Sequence, residues 1–530
     1  MGSIRTIVIS FIVMSCVVAD TATLSKARYL DKCKGAWAGQ MIGVCYGAPY
    51  EFRSNGKPIT EPLRAWSPEM VAGAIDQDDC YVEMTFLKAI EDHGLNVSYE
   101  QAGKAFANTG YPLWHANHHG RENCRHGIMP PMSGHPLYNR HADDIDFQIE
   151  ADLFGILCPG LPQESNHLCD VFGRIMNYGD GLYGGMFVSG MYAAAYFEDD
   201  VRAVIDAGLA CIPKDSQYHK CISDVIVFHD AAPDAWLAAW KQIEAKWQDD
   251  IDCAPGDDFN IDAKLNGAYI VMGLLYGDGD FAKTMEIATR CGQDADCNPS
   301  NAVGVLGCMK GFDALDATFT SGIAAMADTK FSHTDYSFSS LIPVCQAVSE
   351  RIIIRSGGTV TDDGYTFTRQ KPLPPMTFEQ WPDQVEAMKT PIAQSELAWW
   401  DPKWRVIACG TDMAPGVRSE ALGRENVLVL HPVSESSPAV ISARIDVPST
   451  GKPELIIETA SDPKGDYVLK VFIDGALSLE RKIDTQGEWQ KERIDLTPLA
   501  GRSIDVRIEN HANGWSFEAG YFASAGVEGN

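Results

Sequence analysis

The chain has 530 residues, room for roughly three to five ordinary domains or two large ones. Apolar residues make up 45% and charged residues 22%, which excludes disorder or a collagen-like repeat as a description of the whole chain. Acidic residues outnumber basic ones 72 to 43, giving a formal net charge of −29, so nucleic acid and anionic membrane surfaces are not expected partners.

The N-terminus reads as a targeting segment. Arg5 supplies a short positive region, and residues 6–18 are almost wholly apolar. That run falls short of the about 20 residues a bilayer span needs. A cut after Ala19 gives a signal peptide of residues 1–19. Alternatively, Cys16 after Val13-Met14-Ser15 is a lipoprotein cysteine. Either reading expects export: periplasmic, secreted or outer-membrane lipoprotein. No other stretch is apolar enough to span a membrane, so no transmembrane helix is expected. The 15 cysteines are scattered, with no CxxC pair. They read as buried small apolar residues plus a few bridges that export permits.

Residues 25 to about 350 read as helical. Apolar residues recur at helical spacing over 34–42, 81–92, 201–211, 234–247, 263–276, 281–289 and 301–312. Strands do not alternate with helices, so a doubly wound sheet is not expected. Residues 359–369 form a predicted hairpin turning at Asp363-Gly364, a small insertion near 355–375. A Pro-rich stretch, 371–375, then leads out of a helical domain spanning 25–395. From 404 to 530 the pattern is all β. Short runs such as 427–433, 439–447, 454–461, 466–475, 503–511 and 520–528 are separated by turn residues, the signature of a β-sandwich. Trp489, Trp515, Phe517 and Tyr521 line a sugar-binding face or belong to its core.

Two acidic motifs carry candidate chemistry. Asp76-Gln77-Asp78-Asp79 opens the predicted helix at 81–92. A helix N-terminus favours carboxylates, yet three in four residues repel one another, and a bound cation relieves that. Asp294 and Asp296 sit two apart in the Gly-led turn 292–299. Hard cations such as Mg²⁺, Mn²⁺ or Ca²⁺ prefer this oxygen ligand set. Each motif alone also reads as a solvated turn.

Together and in this order they resemble the ADP-ribosylglycohydrolase family. The stretches 35–39 and 43–52 are similar to its Gly-rich opening helix and turn, and 301–307 to its small-residue helix after the late metal motif. The resemblance covers roughly residues 25–350. It implies an all-α catalytic domain, an orthogonal helical bundle, here joined to a C-terminal all-β sandwich like a carbohydrate-binding module. It implies one or two divalent cations, Mg²⁺ first, held by Gln77, Asp78, Asp79, Asp294, Asp296 and Cys297. Glu51, Asp79 and Asp294 become the catalytic set. Glu51 acts as general base on the attacking water or stabilises positive charge at the anomeric carbon. Three departures stand out. Gln77 and Cys297 replace ligand threonines, and Val44 replaces an aspartate of the opening turn. Thiolate sulfur matches Mg²⁺ poorly, which puts one metal position in doubt.

The middle of the chain departs further from the family. Residues 115–141 are rich in histidine, without the spacing of a helical zinc motif. They read as a substrate loop, with His118, His119 and His141 as contacts. Asp146 and Glu150 follow in an acidic stretch that is a solvated helix face or a cleft wall. Tyr178, Asp180 and Tyr183, in a Gly-rich loop, complete the expected sugar contacts. Asp262 reads as a helix cap. A disulfide between Cys80 and Cys297, each beside an acidic motif, is conceivable. The implied function is metal-dependent hydrolysis of an ADP-ribosyl, furanosyl or other glycosidic bond in a glycan, protein or small-molecule substrate. The alternatives are a non-catalytic glycan-binding protein on a degenerate fold and a phosphoesterase. Arg125, Arg140, Arg174 and Arg290 are the candidates to meet a pyrophosphate.

Overall fold

The computed structural model describes residues 21–248, 258–380 and 394–529. The leader segment, with Cys16 and Ala19, and Cys253 lie outside these ranges. After strand β1 (Thr21–Ser25) come α1 (Lys26–Gly47), α2 (Asp78–His93), α3 (Tyr99–Ala107), α4 (His115–Arg125), α5 (Asp146–Ile149) and α6 (Asp152–Leu157). Next are α7 (Pro162–Gly173), α8 (Asp180–Ala195), α9 (Val201–Leu209), α10 (Gln217–Ala231), α11 (Trp236–Trp247) and α12 (Ala263–Gly277). The helical part ends with α13 (Phe281–Arg290), α14 (Cys297–Lys310), α15 (Ala317–Thr320), α16 (Ile323–Met326) and α17 (Phe338–Arg355). None of the described helices is long and apolar enough to cross a membrane.

The helical domain is organised around α1 and α14. Helix α1 starts where Ser25 accepts a hydrogen bond from the Arg28 amide, 3.1 Å. From Gly35 to Gly47 every residue of α1 is buried. Gly35, Gly39, Gly43 and Gly47 form a stripe four residues apart that lies directly on the α14 backbone. A Cβ built on Gly43 would sit 2.5 Å from the Pro299 carbonyl oxygen, and one on Gly39 would sit 2.7 Å from Gly304 Cα. Only glycine permits so close an approach. The Ser300 hydroxyl donates to the Gln40 carbonyl across this contact, 3.2 Å.

The predicted hairpin is present as β2 (Thr359–Val360) and β3 (Gly364–Thr368), joined by a turn at 361–364. It also pairs with the start of the chain: β1 runs antiparallel to β3, with Thr21 opposite Thr368. The order is β1-β3-β2.

Helix α18 (Gln394–Trp400) leads into the sandwich strands β4 (Trp404–Ala408), β5 (Gly416–Ala421), β6 (Arg424–Leu430), β7 (Ala439–Asp446) and β8 (Pro453–Ser461). They continue with β9 (Tyr467–Ile473), β10 (Ala476–Ile483), β11 (Gln490–Asp495), β12 (Ser503–His511) and β13 (Gly520–Gly529). Two five-stranded antiparallel sheets, β10-β9-β12-β7-β4 and β11-β8-β13-β6-β5, enclose a core of Leu, Ile and Val with Trp404 and Tyr467. Alternation along β9 is strict: every second residue is buried. Tyr521 is buried and Trp489 half-buried, whereas Trp515 and Phe517 are exposed, so the four aromatics divide between core and surface.

Three expectations are corrected. Residues 115–125 of the His-rich segment are helical, although the buried stripe at helical spacing, Ala116, Gly120 and Cys124, contains no large apolar residue. The acidic stretch that follows is not a solvated face: Asp143, Asp144, Asp146, Glu150 and Asp152 are all buried. All thirteen described cysteines are free and buried, Cys80 and Cys297 among them, so no disulfide joins the two acidic motifs.

Candidate active site

Six segments, around residues 51–52, 76–81, 114–117, 145–149, 261 and 294–297, converge on one cavity of about 350 Å³. Beyond α1 the chain turns at Pro49 and delivers Glu51. The Phe52 amide donates to the Gln293 carbonyl, 2.8 Å, and the Gln293 amide to the Ser54 carbonyl, 3.1 Å. These bonds lash the Glu51 segment to the turn that carries Asp294. Phe52 and Gln293 both hold left-handed backbone, φ 48° and 51°, an uncommon conformation for these residues that local pairing sustains. Gln293 is anchored further: its side chain accepts from the Asn260 amide, 2.9 Å, and donates to the Asp258 carbonyl, 2.8 Å.

The acidic motifs lie at the N-termini of α2 and α14, where the helix dipoles favour negative charge. Glu51, Gln77, Asp78, Asp294, Asp296 and Cys297 line the cavity. Asp79 is buried behind them and accepts from the Cys297 thiol at 3.3 Å. Burial first, then mutual repulsion, raises these carboxyls. Asp78 reaches about 6 through burial and Asp296. Asp79 and Asp294 move well above the carboxylate range. Glu51, whose side chain keeps solvent contact at the cavity mouth, is raised to about 7 by desolvation, Asp296 and Asp78. Burial and the surrounding aspartates also push Cys297 up, so it stands here as a thiol donor and not as a thiolate. Asp79 Oδ1 and Asp294 Oδ1 are buried without a hydrogen-bond partner among the described residues. Asp294, Asp296 and Cys297 each bring a ligand atom within 4.8 Å of the others.

A second acidic layer forms the floor. Asp146 lines the cavity and accepts from the Asn117 amide, 2.9 Å; burial raises it to about 7. Glu150 accepts from the Asn117 side chain, and burial with the Asp146 charge pushes it well up.

The other sequence-predicted contacts fall elsewhere. His118 and His119 pack against Trp399 of α18, with ring centroids at 6.3 and 5.3 Å. His141 bonds Asp144 at 3.0 Å. Tyr178 stacks edge-on against His135. Asp180 accepts from the Tyr218 amide, 3.1 Å, and the Tyr183 hydroxyl accepts from the Glu379 amide, 2.8 Å. None of these lines the cavity. Asp262 caps α12 through the Lys264 amide, 3.3 Å. Arg125, Arg174 and Arg290 are held by Glu122, by Asp170 and Glu379, and by Glu286, so they form no cluster facing the acidic residues. Sequence reasoning missed Phe52, Tyr81, Trp114, His115 and Asn117, all on the cavity wall. Trp114, more than half exposed at 57%, had no periodic signal to mark it.

Paired acidic motifs at two helix N-termini, with a glutamate between them on a helical scaffold, define a candidate cation-binding hydrolase site. The family model for ADP-ribosylglycohydrolase matches residues 25–338, more than half of the chain, and the chain belongs to that family. A solved structure described as an "ADP-ribosylglycohydrolase-related protein complex" is 14% identical, with 61% of this chain and 98% of that chain covered at a TM-score of 0.39. No curated protein matches the chain.

Proposed function

We propose that this protein is a metal-dependent glycosidase that acts on a neutral sugar substrate. The observation that carries this is the meeting of Glu51 with Asp78, Asp294 and Asp296 in one cavity, backed by Asp79. The donor set fits a hard cation: it is oxygen-rich, self-repelling and contains buried carboxylate oxygens with lone pairs to spare. Gln77, Asp78, Asp79, Asp294 and Asp296 would hold one or two ions, Mg²⁺ first, with Cys297 bracing Asp79. Such an ion supplies a field that orients sugar hydroxyls and lowers the pKa of a bound water.

The chain's own residues do the rest. Glu51, raised to about 7, is poised to take a proton from the attacking water near neutral pH. Asp146, also near 7, can share a proton with a sugar hydroxyl. Trp114 offers an exposed ring at the rim for a sugar face. Among the described residues the lining carries the carboxylates of Glu51, Asp76, Asp78, Asp146, Asp294 and Asp296 and no Lys or Arg. That excess of negative charge favours a phosphate-free furanoside or glycan over ADP-ribose. Export and the appended sandwich, both expected from the sequence, suit an extracellular glycan.

The test combines metal analysis of the purified protein with a panel of glycans and ADP-ribosyl substrates, each with and without chelator. Chelator-sensitive sugar release that Asp294→Asn, Asp78→Asn and Glu51→Gln abolish supports the reading. Full turnover in Asp294→Asn sinks the site. Bound metal and glycan without any release would make the chain a binding protein on a catalytic fold.

A further inference from the structure

We propose that His115, His141 and Asp144 form a second metal site, separate from the acidic one and selective for a borderline transition-metal ion such as Zn²⁺. His141 Nδ1 lies 3.0 Å and His115 Nδ1 3.5 Å from the same oxygen, Asp144 Oδ2. One ligand atom from each residue falls within 4.8 Å of the others. Neighbouring ligands of a tetrahedral Zn²⁺, with bonds of about 2.0–2.2 Å, stand about 3.3 Å apart. Both histidine–Asp144 distances match that spacing. Two imidazoles and one carboxylate are also the ligand types that favour such an ion over Mg²⁺ or Ca²⁺.

The scaffold is built to hold this geometry. Asp144 is fully buried; its amide donates to the His141 carbonyl, 3.0 Å, and its carbonyl accepts from Asn177 Nδ2, 2.8 Å. His115 opens α4 in left-handed backbone, φ 39°, an unfavourable conformation for histidine that aligns its ring with His141 at 5.2 Å between centroids. Phe259 stacks on the other side of His115 at 6.0 Å. His115 keeps 26% of its side chain exposed and lines the acidic cavity. An ion held here would therefore be reached from the same cavity as Glu51. Nothing in this argument rests on the glycosidase reading.

The test is titration of the full metal-stripped protein with Co²⁺ as a visible probe, followed by displacement with Zn²⁺. Wild type should show the absorption of four- or five-coordinate Co²⁺ with nitrogen ligands, lost on adding one equivalent of Zn²⁺. Asp294→Asn should retain this signal. His141→Gln and Asp144→Asn should weaken Co²⁺ binding more than about 100-fold, beyond what loss of a supporting hydrogen bond costs. His115→Gln, at a partly exposed position, decides the matter if the buried variants do not fold. No Co²⁺ signal in wild type, a signal indifferent to His115→Gln, or one abolished by Asp294→Asn instead would reduce the cluster to a hydrogen-bonded histidine–aspartate group and overturn the proposal.

Discussion

Gly39→Ala tests the claim that the glycine stripe of α1 sets the geometry of the site. The added methyl would sit 2.7 Å from Gly304 Cα, and nearer still to the Val303 carbonyl oxygen. Ordinary carbon–carbon contact is about 3.5–4.0 Å, so α1 and α14 must part by about 1 Å. Both obstacles are backbone and cannot rotate aside. An extra methyl in a packed core costs about 1–3 kcal/mol, and this geometry belongs at the upper end. Alanine returns about 1 kcal/mol of helix propensity over glycine. The net loss is about 2 kcal/mol, read as a fall of about 3 °C in the melting of the helical signal, at about 2.1 cal/mol/K of unfolding entropy per residue. Glu51 follows α1 and Asp294 precedes α14, so the same displacement should weaken divalent-cation binding at least about tenfold, by the sensitivity of metal sites to their supporting geometry. Circular dichroism melts and Mg²⁺ or Mn²⁺ titration measure the two effects. Gly110→Ala is the control: nothing lies near its added methyl, and it should change stability by less than about 0.5 kcal/mol. A Gly39→Ala protein with wild-type melting and metal affinity would refute the reasoning.

Further outcomes follow from other parts of the molecule. Burial raises Asp152 to about 7, so the folded chain keeps a proton there that the unfolded chain releases near pH 4. Its stabilising contribution is whole below pH 4 and is lost as pH rises through 7. Asp152→Asn cannot titrate, so its stability relative to wild type should climb by up to about 4 kcal/mol across that window, at about 1.4 kcal/mol per pKa unit. Denaturant melts at several pH values giving a constant difference would contradict this. Cys297→Thr keeps a donor to Asp79 and adds an oxygen ligand, so calorimetry should show tighter Mg²⁺ binding than in wild type and Cys297→Ala weaker binding; equal affinities would remove Cys297 from the site. A chain ending at residue 380 keeps β1 to α17 and should retain its helical circular dichroism. It should also bind apolar dye where Ile128 and Tyr138 lose their cover by Ala398; loss of helicity would show that the sandwich is required for folding.

What was legible in the sequence depended on whether the signal was local. The acidic motifs and the small residues of α1 and α14 were readable because each occupies one segment and its chemistry is unusual. Helix α4 was not, because HANHHGRENCR is strongly polar, its stripe is only the small Ala116, Gly120 and Cys124, and it is fixed by contacts from Trp399 and Asp146. Strands β10 and β11 were missed for a related reason: they are exposed edge strands with almost no buried positions. The pairing of His115 with Asp144 joins a helix start to a separate turn, a proximity that no spacing rule encodes. Tyr178, Asp180 and Tyr183 lie outside the acidic cavity, where Asp180 accepts from the Tyr218 amide at the start of α10 and the Tyr183 hydroxyl accepts from the Glu379 amide.

The closure of β1 on β3 has a consequence for the order of events in folding. The first described strand pairs with residues 364–368, and the first described helix packs on one whose contact across Gln40 and Ser300 is 260 positions away. A ribosome releases the chain from its N-terminus, so the earliest helix emerges with its docking partner not yet synthesised. Its apolar surface must be shielded throughout that interval. Such high contact order makes the helical domain a slow, late-closing structure, despite being built of helices that would form quickly if their partners lay close by.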